Sequence, residues 1–139
     1  MPAFSLPTLL RAVALWLLLM AAESAQGAMR EWLFGPDMAF AARQAAVVVG
    51  TGVIVLISWV SLKWLRLRSD AAALAVGALW VALTVAFEVA LGRALGLSQE
   101  RMLEDYDLLR GGLMPLGLLA MGATPFVVRR LQARGEGRT

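Results

Sequence analysis

Four apolar runs divide this chain, at about 6–27, 44–64, 71–95 and 111–128, and polar residues gather in the short stretches between them. Each run approaches the ~20 apolar residues that a helix needs to cross ~30 Å of hydrocarbon. The pattern predicts an all-α protein, a four-helix transmembrane bundle forming one domain over residues 1–139. A short amphipathic surface helix is expected between helices three and four.

The first run carries Arg11 near its start and Glu23 near its end. Its small residues Ser24, Ala25 and Gly27 also fit the cut site of a secretory signal. A weakly basic leader and the placement of Glu23 just before that site favour an uncleaved first span. Ala28–Arg43 is the first connection, with Gly35-Pro36-Asp37 as a turn and Trp32 at headgroup depth.

The second run holds Gly50, Thr51, Gly52, Ser58 and Ser61, small or weakly polar positions that let helices approach closely. Ser69-Asp70 then offers an N-cap for the third helix. In the segment 97–110, Ser98 is a cap, and Met102, Leu103, Tyr106 and Leu109 recur at helical spacing beside five charged residues. It is expected to lie on the membrane surface. Pro115, Gly117, Gly122 and Pro125 in the last run predict kinks or tight contacts.

Composition strengthens the membrane reading. Of 139 residues, 60% are hydrophobic and 17% charged, where soluble domains are near half apolar and a quarter charged. The length leaves no room for a second globular domain. There is no Cys and no His. Disulfides, thiolate metal sites, Cys nucleophiles and the usual general base are thereby absent, and no metal, cofactor or enzymatic activity is expected.

The distribution of charge sets an orientation. With four spans, eight Lys/Arg fall on the side of both termini and five on the other. The positive-inside rule then puts the N- and C-termini in the cytoplasm, in what would be a bacterial inner membrane. The opposite, outer side gathers Glu31, Asp37, Glu100, Glu104, Asp105 and Asp107. Basic clusters on the inner side need no nucleic acid to explain them, and none is expected as a partner. The expected partners are the lipid bilayer and, beyond it, a second copy or another membrane protein.

That topology brings Glu23, Gln44 and Glu88 to one level near the outer interface, within reach of Arg30, Arg43, Arg93 and Arg110. An acid in hydrocarbon costs several kcal/mol unless it is paired, so Glu88 is expected to meet an Arg or Gln44. Trp80, Thr84 and Glu88, four residues apart, form one stripe with Gly77 and Gly92 close to it. Glu88 either locks helix packing, the favoured role, or serves as a protonatable site in a hydrophilic pocket. Asp105-Tyr106-Asp107 could suggest paired catalytic carboxylates, but Arg101 with Asp105 and Asp107 with Arg110 have ion-pair spacing. A surface network is the better reading. Gly50-Thr51-Gly52 lacks the Lys of a phosphate loop and lies within a span.

The ordered series Gly27-Ala28-Met29-Arg30-Glu31, Ala42-Arg43-Gln44, Phe87-Glu88 with Gly92, and Asp105-Tyr106-Asp107 before Gly111 resembles a family of small, functionally uncharacterised bacterial membrane proteins with about four spans. The resemblance covers most of the chain after the first helix. It implies that Arg30, Glu31, Gln44, Glu88, Asp105 and Tyr106 belong to one recurring framework, and implies no activity. This chain departs from the family pattern at Arg43, where a His is common, at Gln99, where an aromatic is common, and at Gly112, where an Arg is common. The expected role is accessory or structural. The alternative is a small oligomeric transporter or channel using the outer Glu/Arg cluster.

Overall fold

The computed structural model describes residues 5–35 and 39–136. The turn residues Pro36 and Asp37 and the tail residue Arg138 lie outside them. The described residues are all-α: α1 (Leu6–Phe34), α2 (Phe40–Leu65), α3 (Asp70–Ala94), a short α4 (Gln99–Glu104), a 3₁₀ turn at Leu108–Arg110, and α5 (Met114–Glu136).

Three of these helices, α1, α2 and α3, are long and apolar enough to cross a membrane. Large apolar side chains cover their outer faces: Leu10, Leu17, Leu18, Val48 and Val60 are all more than half exposed. In water such a surface would drive association; hydrocarbon accepts it without cost. α5 is different. Its glycines, two prolines and Thr124 dilute the apolar run, and Arg129 ends it, leaving roughly 22 Å of apolar helix from Met114 to Val128.

The helix starts follow the expected caps. Ser69 accepts the Ala72 amide at 3.1 Å, and Ser98 accepts the Arg101 amide at 3.1 Å. Ser5 caps α1 with Pro7 in its first turn. The ends differ from expectation in two places. α1 does not stop near Gly27 but continues through Ala28–Phe34, because a lone glycine costs a helix only about 1 kcal/mol and the following Met-Arg-Glu-Trp-Leu are helix formers. It ends where Gly35 adopts φ 84° and donates its amide to the Glu31 carbonyl at 2.8 Å. Trp32 therefore sits on the continuing helix rather than in a loop, and is 83% exposed.

The second difference is that α4 covers only Gln99–Glu104 of the expected amphipathic segment. The chain turns at Asp105 and enters the 3₁₀ turn, with Gly111 at φ 92° and the Gly112 amide bonded to the Asp107 carbonyl at 2.8 Å.

The core lies where α5 packs on α3 and α2, with α1 closing against α2 and α3. A Cβ on Gly77 would run into the Gly122 carbonyl, so these two glycines set the closeness of α3 and α5. Beside this crossing, Trp80 donates to the Ala12 carbonyl at 3.0 Å and Trp16 to the Thr84 hydroxyl at 3.0 Å. Thr84 passes its own proton toward Met121 Sδ at 3.3 Å, and Trp16 meets Phe87 edge-on. The interior polar atoms of both indoles and Thr84 are thus satisfied, as burial in a low-dielectric interior requires.

At the end holding the start of α1, Asp70 pairs with both Arg129 and Arg130, the latter at 2.8 Å. Arg129 also donates to the Leu67 carbonyl at 3.4 Å, and Arg11 to the Trp64 carbonyl at 3.3 Å. These contacts tie the α2–α3 connection to α5 and α1.

Candidate functional site

The opposite end holds the polar residues singled out above. Its hub is Gln44, on the first turns of α2 and only 5% exposed. Gln44 Nε2 donates to Asp105 Oδ1 at 2.8 Å, while its Oε1 accepts the Leu113 amide at 2.8 Å. One side-chain amide thereby joins α2 to both ends of the turn that precedes α5. The expected contact between Gln44 and Glu88 is not formed, because both ends of the amide are already engaged.

Asp105 has several partners. Its Oδ2 receives Arg101 at 3.3 Å, its carboxylate lies 3.7 Å from Arg43 Nε, and its carbonyl accepts the Met114 amide at 3.1 Å. Arg43 also pairs with Glu104 at 3.0 Å and lies over the Phe40 ring at 5.5 Å. The turn packs closely: a Cβ on Gly112 would stand 2.5 Å from the Asp105 carbonyl oxygen and 2.9 Å from that of Glu104. Only glycine fits there. Met102 anchors the segment to α3 by resting on Gly92, where a Cβ would come within 2.6 Å of the Met102 sulfur.

Beneath this cap are the two membrane acids. Glu23 lies over Gly50 of α2, with Gln26 beside it donating to the Ala46 carbonyl at 3.4 Å. Glu23 Oε1 is buried without a hydrogen bond among the described residues. Glu88 is close enough to act on the charge of Glu23, and lies itself in the fields of Asp105 and Arg30. No ion pair within 4 Å reaches either acid among the described residues, so the expected Glu88–Arg salt bridge is replaced by a longer-range attraction to Arg30.

Tyr106 completes the group. Its hydroxyl is buried and unpartnered among the described residues. Burial first, then the charges of Glu88 and Asp105, push the phenol above its ordinary range, so it keeps its proton at neutral pH.

Of the residues expected in the outer cluster, the structure thus brings Glu23, Arg30, Arg43, Gln44 and Glu88 together in half-buried or buried positions, with Asp105 and Tyr106 above them. Glu31, Arg93 and Arg110 are exposed, and Arg110 instead faces Asp107 at 3.6 Å. Both short-range pairs expected in the surface segment, Arg101–Asp105 and Asp107–Arg110, are present. The central place of Asp105 was not evident from its spacing; the sign was the Gly111-Gly112 pair downstream, which permits the tight return toward α2.

Comparison with protein-family models, curated proteins and solved structures finds no match for this chain. The motif series therefore carries no family assignment, and the site is read from its geometry alone. The arrangement offers hydrogen-bond acceptors and a protonated phenol beside two carboxylates. Such a group can take up a proton or position a polar partner.

Proposed function

We propose that the chain is a four-helix inner-membrane protein with an accessory or structural role, α5 serving as its fourth span and both termini lying in the cytoplasm. The observation that carries the reading is the Gln44 bridge, which joins α2, Asp105 and the start of α5 into a cap over the bundle. Below it, Trp16, Trp80 and Thr84 bond to partners within the chain rather than lining a polar path. A bundle capped at one end and filled in its middle favours a scaffold. Arg129 and Arg130, held by Asp70, belong to the cytoplasmic side under the positive-inside rule.

The proximity of Glu23 and Glu88 favours a second reading, a small oligomeric transporter in which these acids carry the proton. The two readings separate in one experiment. The full chain is cross-linked in native membranes, purified and identified by mass spectrometry, and in parallel is reconstituted in liposomes. A stoichiometric protein partner and no proton flux are expected. A homo-oligomer whose proton flux disappears in a folded Glu88→Gln variant would replace the scaffold with the transporter.

A further inference from the structure

The end of the molecule opposite the acid cluster has a hollow of its own. It measures about 300 Å³ and lies between the C-terminal turn of α2, the connection that follows it, and one face of α5. Three cations line it, Lys63, Arg66 and Arg129, together with Gln132 and the apolar walls Leu62 and Leu67. Leu62 is buried, while Lys63 and Arg66 are exposed at the rim.

Two features make this more than a charged surface. Arg66 adopts φ 54° and ψ 50°, the left-handed conformation, and is the one non-glycine with positive φ among the described residues. Any residue with a Cβ resists that geometry, yet the chain places an arginine there, and the turn sets its side chain on the pocket. Depth is the second feature. Trp59 and Trp64, both partly exposed, flank the hollow, with Arg11 over the Trp64 ring at 5.7 Å and Gln132 donating to the Trp59 carbonyl at 2.7 Å. Indoles mark the level where hydrocarbon gives way to headgroups. Asp70 pairs with Arg129 and also holds Arg130, so one carboxylate is shared between two guanidiniums beside the hollow.

We propose that this pocket binds a phosphate diester, the headgroup of an anionic phospholipid, with Arg66 and Lys63 meeting the phosphate and Leu62 and Leu67 meeting the glycerol and the first methylenes. The site requires only that α2 and α3 span the membrane, so it stands whether the protein is a scaffold or a transporter. Basic pockets between helix ends at headgroup level suit such lipids.

The test uses the full chain in vesicles of mixed phosphatidylglycerol and phosphatidylcholine, extracted gently and examined by native mass spectrometry for retained lipid. Wild type should keep phosphatidylglycerol in preference to phosphatidylcholine. Arg66→Gly, which suits the left-handed backbone and so preserves the fold, should weaken that preference about 5-fold, the effect of one interfacial cation. Lys63→Gln should act in the same direction. Arg134→Gln removes an exposed charge outside the pocket and should change nothing. Equal losses in Arg66→Gly and Arg134→Gln, or no preference in the wild type, would overturn the site. Displacement of the lipid by millimolar inorganic phosphate would assign the pocket to a soluble anion and overturn the lipid.

Discussion

At one end of the bundle a single carboxylate, Asp70, holds two guanidiniums, Arg129 and Arg130. At the other, two carboxylates, Glu23 and Glu88, have no ion pair among the described residues, and the charge of Glu88 bears on Glu23. The first end uses charge to fasten elements: Asp70 also sits in the first turn of α3, where the helix dipole favours an acid. The second end adds to the ion pairs of Arg43 and Arg101 a buried neutral amide, Gln44, that joins α2 to the start of α5, and leaves two membrane acids outside the fastening. The contrast separates residues that hold the fold from residues that the fold merely holds, and each can be tested by what its removal does to stability.

The largest effect is expected at Gln44. Gln44→Ala strips the Leu113 amide of its acceptor and Asp105 of a donor, in a buried place where water cannot easily substitute. A buried group left unsatisfied costs about 1–3 kcal/mol; the Leu113 amide is left so, while Asp105 keeps Arg101 and Arg43. Thermal unfolding in detergent should show a loss of about 1–3 kcal/mol. Gln26→Ala, which removes a single 3.4 Å contact, is the control and should lose far less.

Asp70→Asn comes next. Its partners are partly exposed, so solvent and salt screen the attraction, and a loss of about 1–2 kcal/mol is expected despite the double pairing. Salt should distinguish the two ends: raising ionic strength lowers the stability of wild type toward that of Asp70→Asn and leaves the deficit of Gln44→Ala in place.

Glu88→Gln should change stability by only about 0.5 kcal/mol, in either direction, since the half-buried acid has no ion pair among the described residues and the amide keeps its shape. A loss above about 2 kcal/mol would show that Glu88 locks the helices together after all, and the contrast between the ends would collapse.

Much of this architecture is legible in the hydropathy pattern, because burial in hydrocarbon constrains every residue of a span. The three long helices, the Ser69 and Ser98 caps and the inward stripe of Gly77, Trp80 and Thr84 all follow from local rules. What escaped depends on neighbours distant in sequence. Nothing near Gln44 indicates that its amide meets a carboxylate and a backbone N–H more than sixty residues later. The apolar run fades at Gly27, but the helix continues to the positive-φ glycine that ends it, Gly35. α4 is shorter than its charge pattern suggests, because Asp105 and Asp107 reach their ion-pair partners equally well when the chain turns between them. The pairs Trp16–Thr84 and Trp80–Ala12 depend on how helices rotate against one another, which periodicity alone does not fix.

The smallest expected effect concerns Tyr106, and it is read through pH. Its hydroxyl is buried without a partner among the described residues, so Tyr106→Phe should be neutral or slightly stabilising near pH 7, the removed group having no hydrogen bond to lose. The phenol is raised above its ordinary value by burial and then by Glu88 and Asp105. The folded protein therefore holds this proton more tightly than the unfolded chain, whose tyrosine ionises near pH ~10. Where the unfolded state binds fewer protons, stability falls as pH rises. The contribution is complete below about pH 10 and is lost as pH climbs from there through the raised value. Unfolding curves for both proteins should run parallel up to about pH 9.5 and then separate, wild type falling faster than Tyr106→Phe. Arginine and lysine are common to both, so the difference isolates Tyr106. In Glu88→Gln the separation should shrink, because one of the charges that raises the phenol is gone. If the separation is unchanged, Glu88 does not face Tyr106, and the acid end is two independent sites rather than one.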